Sequence, residues 1–198
     1  MFKIVKIILI IFILILGSVP EKIYCKDNLQ YKIMRIDNSL LGGARRFTYH
    51  VLVNHGTTKS DMEQISLKVL TQAQKENPFN ALAVGFNDHA ALTGHGFRLG
   101  RVEFAPNGRW ADAGTVRTGD YSALRMVNHL KEPDWDNALT KKEAKIYARY
   151  NRTLNSLLRN ANTLEDHHQA EITATQRTLK KYRITQQELD NIFLRYRR

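Results

Sequence analysis

Cysteine is nearly absent from this 198-residue chain, Cys25 being the single one. That excludes an internal disulfide, a cysteine-based zinc site and any paired-thiol chemistry. The redox compartment stays open. Familiar catalytic punctuation is missing as well. No G-x-S-x-G turn is present to present a nucleophilic serine. No H-E-x-x-H occurs, and Gly94-His95-Gly96 lacks the Lys-Ser/Thr and helix start of a phosphate loop. His167 and Glu171 share a helical face, but two ligands do not make a stable metal site. The sequence therefore predicts no metal and no cofactor. Acidic residues are scarce too: 19 Asp and Glu face 30 Lys and Arg, for a net charge of +11. Such a balance favours acidic partners.

The remaining composition, 43% hydrophobic and 25% charged, is that of a globular protein. Part of the hydrophobic count belongs to the N-terminus, where Lys3 and Lys6 precede ten uninterrupted apolar residues, Ile7 to Leu16. This is the layout of a secretory signal. As a helix that run rises roughly 15 Å, about half of a ~30 Å hydrocarbon core. Residues 1–25 are therefore read as a signal peptide, or as an N-terminal anchor if uncleaved, and the protein as periplasmic or secreted. Lys22-Ile23-Tyr24 lacks the small residues a lipobox needs before Cys25. Export would remove Cys25 and with it any thiol catalysis. Without the leader the chain still carries +9.

Residues 26–136 read as an α+β core. Tyr31–Ile36 is a predicted first strand, followed by a loop over Asp37–Ala44. Arg46–Val53 alternates, with Phe47, Tyr49, Val51 and Val53 on one face. Ser60 and Glu63 suggest a capping box for a helix over 61–76, which Pro78 ends. Ala81–Phe86 is a predicted buried strand with a large face (Leu82, Val84, Phe86) and a small one (Ala81, Ala83, Gly85). The small face suits close approach of that helix. A return strand is expected over Phe97–Phe104, with a bulge near Gly100 where the apolar parity switches. Leu124–Leu130 adds a fifth strand or a short helix. The predicted architecture is a four- to five-stranded sheet with one helix on a face, followed by a C-terminal pair or trio of helices.

The run Asn80-Ala-Leu-Ala-Val-Gly-Phe86, the segment Leu99 to Trp110 with its Pro-x-Gly-x-Trp, and Thr118-Gly-Asp-Tyr121 resemble a bacterial domain-of-unknown-function family. That family consists of small exported or membrane-linked α/β domains. The resemblance spans about residues 31–150 and implies a fold class; it brings no activity.

Residues 137–198 read as a basic helical extension. Thr140/Glu143, Thr163/Asp166 and Thr185/Glu188 are three successive cap signals. Tyr147, Tyr150, Leu154, Leu157, Leu158 and Ala161 form an expected apolar stripe. From 141 onward thirteen Lys and Arg face six Asp and Glu, so this segment carries +7. One continuous fold in two parts is expected, because a small sheet with a single helix leaves apolar surface to cover.

Candidate binding residues are Asp88, His89 and His95 in the loop 87–96, where a Gly-containing connection can form a binding edge. Arg101, Glu103, Asp120 and Tyr121 could meet as an acid/base group or simply pair. Trp110 and Trp135 follow turns and are expected to staple the 105–136 segment onto the sheet; if exposed, either becomes a binding candidate, and Trp110 is counted with the candidates above. The functional expectation is an exported, non-enzymatic envelope or secreted binding module for a protein or an anionic envelope polymer. Membrane contact is expected only through residues 1–25 if they are retained. One alternative is a hydrolase with a polar site in which His89 or His95 converges with Arg101, Glu103 or Asp120. Another is nucleic-acid binding through the C-terminal helices, which export disfavours.

Overall fold

The computed structural model describes residues 23–26 and 29–197. Residues 1–25, read above as a signal peptide or anchor, lie outside the described residues apart from Ile23–Cys25. Those three belong to a short strand, β1 (Ile23–Lys26).

The six described strands form one sheet in chain order. β2 (Leu29–Leu41) and β3 (Ala44–Val53) are a hairpin. The stretch expected as a loop is strand as far as Leu41, and the connection shrinks to Gly42-Gly43. Both glycines have positive φ, 59° and 76°, the conformation a two-residue hairpin turn demands. α1 (Lys59–Glu76) then crosses over to β4 (Ala81–Asn87), which runs parallel to β3. β5 (Gly100–Pro106) and β6 (Leu124–Leu130) continue the sheet antiparallel. The α+β class is as expected, and Leu124–Leu130 is a strand.

Four details differ from the sequence reading. The helix cap is Thr58 with Asp61, two residues ahead of Ser60 and Glu63. Thr58 lies outside the helix with extended φ/ψ, as a capping residue should, so the upstream pair wins. The return strand starts at Gly100 rather than Phe97. A turn closed by Gly100 N–H donating to the Phe97 carbonyl carries the parity switch, with Gly100 at φ 91°. The irregular register lies instead in β2, between Ile33 and Arg35.

The fourth difference concerns the faces of the sheet. α1 packs its buried Met62, Ile65, Val69 and Ala73 on the large face, with Phe47, Tyr49, Val51, Leu82, Val84, Phe86, Val102 and Phe104. Large side chains on both partners interlock and exclude more water than a flat alanine face could. The small face is covered by a 3-10 segment, Trp110–Thr115. There Ala44, Ala81, Ala105 and Ala113 form a cluster with Trp110 against it. Phe97 fills the space over Gly85. Trp135 donates its indole N–H to the Thr57 carbonyl at 3.2 Å and packs at a tilt against His55. Both tryptophans are thus half-buried staples.

The tail forms α2 (Lys141–Leu158), α3 (Leu164–Tyr182) and α4 (Gln186–Arg197). The three predicted caps are all in place. The tail does not cover the sheet's open face. Ala144, Ile146, Leu189 and Ile192 build a second core around Leu92 and Leu139, with Tyr147 and Tyr150 partly buried at its margin. The residues sealed most completely on α2 are Ala144, Ile146 and Ala148, because α2 is gripped from two sides. On α3, Ala170, Ala174 and Thr178 are buried at helical spacing, which lets α2 and α3 approach closely.

Candidate functional site

The loop after β4 is where the two cores meet. Asn87 ends the strand and holds the loop shut: its side-chain carbonyl accepts from Arg98 N–H at 3.0 Å, and its amide donates to the Gly96 carbonyl at 3.1 Å. Asp88 accepts from Arg98 Nη1 at 2.7 Å, with the side chains only 5% and 1% exposed. Removing either member of such a buried pair leaves the other charge uncompensated; Asp88 Oδ1 and Arg98 Nε and Nη2 have no hydrogen-bond partner among the described residues. His89 Nε2 lies 2.5 Å from the Leu139 carbonyl, tying the loop to the segment that leads into α2. The Tyr196 hydroxyl of α4 donates to the His95 carbonyl at 3.0 Å. Its ring stacks on Tyr147, with centroids 3.7 Å apart, and burial pushes the phenol well above its usual range. Burial and the nearby cations Arg152 and Arg35 hold the His95 imidazole below its ordinary value. Asp88, His89 and His95 are therefore brought together, as a docking joint between sheet and tail.

Arg101 and Glu103 stand elsewhere, on the polar face of the sheet. They pair at 2.6 Å, and His129 Nε2 lies 3.9 Å from the other Glu103 oxygen. Across the same face Arg35 and His50 both bond Asp37, at 2.5 and 2.8 Å. The strand register places Arg35, His50, Gly85, Arg101 and His129 in one row, with Phe97 seated over Gly85 beside His50. Burial opposes the Asp37 charge, but the His50 and Arg35 hydrogen bonds outweigh it and hold the carboxyl low.

Asp120 and Tyr121 do not join that group. Asp120 accepts from the Ser122 hydroxyl at 2.7 Å and from its N–H at 3.0 Å, and those bonds lower its pKa. Tyr121 packs on Phe79, with ring centroids 4.8 Å apart, at the margin of the main core. The eight candidate residues thus divide among a joint, a polar sheet face, an alanine cluster under Trp110, and a turn at the core margin.

The surface the sequence reading did not resolve is a row of cations on α2. Lys141, Lys145, Arg149, Arg152 and Arg159, the last being the C-cap that keeps right-handed helical φ/ψ, follow one another at steps of four, four, three and seven residues. At 3.6 residues per turn they fall within about 80° of arc and extend along about 27 Å of axis. All five are exposed. No acidic residue interrupts the row. Of the six acidic residues of the tail, Glu143, Asp166 and Glu188 each accept from a capping threonine, and Asp190 accepts from Gln186. Among the described residues, the tail's ion pair joins Arg195 to Glu143. The spacing was readable from the chain alone, because cations obey the same helical period as apolar residues. Arg98 gave no such signal, since an arginine between Phe97 and Leu99 reads as solvated.

Compared with known proteins, the chain matches no family model, no curated protein and no solved structure. Among the described residues no group of three or more His, Cys, Asp or Glu is placed to hold a metal ion. No described helix is long and apolar enough to cross a membrane.

Proposed function

We propose that this chain is an exported binding module that holds an anionic polymer of the cell envelope along the cation row of α2. The observation that carries this reading is the row itself: five exposed Lys and Arg on one helical face, not neutralised by tail carboxylates. Steps of three and four residues set neighbouring charges about 4.5–6 Å apart along the axis. That suits a polymer with a regularly repeated anionic group better than a single small anion. Export through residues 1–25 and kinship with the small exported α/β domains belong to the same proposal.

The hydrolase reading has weaker support, since His89 and His95 serve the joint while Arg101 and Glu103 pair on the sheet face. Nucleic acid offers a similar charge repeat and serves as the competitor in the test. Fluorescence anisotropy of a labelled poly(glycerol phosphate) chain is measured with the wild-type protein and with K145E/R149E/R152E. Each reversed charge near a polyanion counts for roughly a kcal/mol, so the triple variant should bind at least a hundredfold more weakly. Wild-type-like binding by the variant refutes the site. Preference for a single-stranded oligonucleotide of equal charge, with steep loss on adding salt, refutes the envelope-polymer assignment.

A further inference from the structure

β2 is an edge strand over most of its length. β1 pairs with it only from Leu29 to Lys32, so among the described residues its outer side is unpaired from Ile33 to Leu41. Such an edge is a template for another strand. The backbone groups that point outward follow from the hairpin. Leu41 pairs with Ala44 across the two-residue turn, and a tight turn of this type bonds those two residues to each other. Alternation along the strand then directs the N–H and C=O of Leu40, Asn38 and Ile36 away from β3. Ile36 and Leu40 are 48% and 73% exposed, on one face and at equal distance either side of Asn38.

We propose that a second copy of this chain pairs along this edge, antiparallel, about a twofold axis through Asn38. Ile36 then faces Leu40 of the partner subunit, and Leu40 faces the partner's Ile36, so each covers the other. On the opposite face Asp37 lies across from the partner's Ser39, a hydrogen-bonding match. Leu41, 71% exposed, lies across from the partner's Arg35, whose aliphatic stem can cover it. No like charges stand directly opposite one another, and Asp37 already pairs with Arg35 and hydrogen-bonds His50 within its own copy. The partner's turn ends beside Ile33, short of the stretch taken by β1. A register centred two residues earlier would drive each turn into the other copy's β1, and one centred on Asp37 would set two carboxylates face to face. The matched apolar pair, the length of the free edge and the absence of opposed like charges thus select one occupant and one register.

The test uses the full chain, expressed in cells in a Cys25→Ser background and oxidised with copper phenanthroline. In this register Asn38 lies opposite its own copy at a Cα separation of about 5.5 Å, within disulfide reach. Leu41 lies about 20 Å from its copy. Asn38→Cys should give a disulfide dimer on a non-reducing gel and Leu41→Cys should not. Ile36→Lys or Leu40→Glu, added singly to Asn38→Cys, should lower the dimer at least tenfold. Together they set the introduced ammonium opposite the partner's introduced carboxylate and should restore more than half of it. No dimer, equal dimer at both positions, a cross-linked product of another mass, or no rescue by the double variant would each overturn the proposal.

Discussion

A methyl group at position 85 should test how the polar face of the sheet is closed. A Cβ built there would lie 2.0 and 2.1 Å from the Phe97 ring carbons Cδ1 and Cε1, and 2.4 Å from Cγ. Cγ is the root of the ring, so a small tilt cannot clear the clash. Phe97 would have to leave its rotamer and its contact with His50, where the ring centroids are 5.1 Å apart. Overpacking of this kind costs about 1–3 kcal/mol. Taking about 2 kcal/mol, Gly85→Ala should lower Tm by about 4–8 °C in a chain of this length. Phe97→Ala alone, removing a half-buried ring, should cost about 2 kcal/mol. In the double variant the methyl has room, so its cost should largely vanish, leaving a favourable coupling of about 2 kcal/mol. Urea denaturation of all four proteins measures this directly. A Gly85→Ala cost within about 0.5 kcal/mol of zero, or strict additivity in the double variant, would refute the reasoning.

Three further outcomes follow from the joint and the tail. Arg98→Met leaves the Asp88 carboxylate buried without its cation and should destabilise by about 3–5 kcal/mol; Arg98→Met/Asp88→Leu should recover much of that in the same urea assay. His95 should titrate below about 6.5 in an NMR pH series, and Arg152→Ala should move it upward by removing one of the nearby cations. Because its folded pKa is depressed, neutral His95 is the favoured folded form, and stability should fall as pH drops below about 6.5. At Glu143 burial opposes ionisation, but hydrogen bonds from Thr140 and the Arg195 ion pair outweigh it and lower the pKa. The stability it contributes is present above the unfolded carboxyl value of about 4.3 and is lost as pH falls through the lower folded value. Glu143→Gln should flatten that acid limb in a series of thermal melts, and an unchanged limb would count against the assignment.

What the sequence determined by itself was the local periodicity. Phe47 to Val53 lie on one buried face because a strand alternates, and the three tail helices begin at their Thr-x-x-Glu/Asp boxes because an unsatisfied helix terminus needs such a partner within three residues. The alternation of Ala81 to Phe86 was legible in the same way, but not which face the helix would take. That choice depends on the interlock with Met62 and Val69 and on Trp110 returning from thirty residues downstream to cover the alanines. The cap at Thr58 was misplaced because two boxes overlap in sequence, and only the path out of β3 selects between them. The joint was less legible still. Asp88 and His89 were visible as polar loop residues, yet their partners, Arg98, Leu139 and, through His95, Tyr196, are set by how the second core closes on Leu92. Local hydrogen bonding and side-chain period act within a few residues and can be read along the chain. Burial, and the meaning of each buried charge, is a property of neighbours that only the closed tertiary structure supplies.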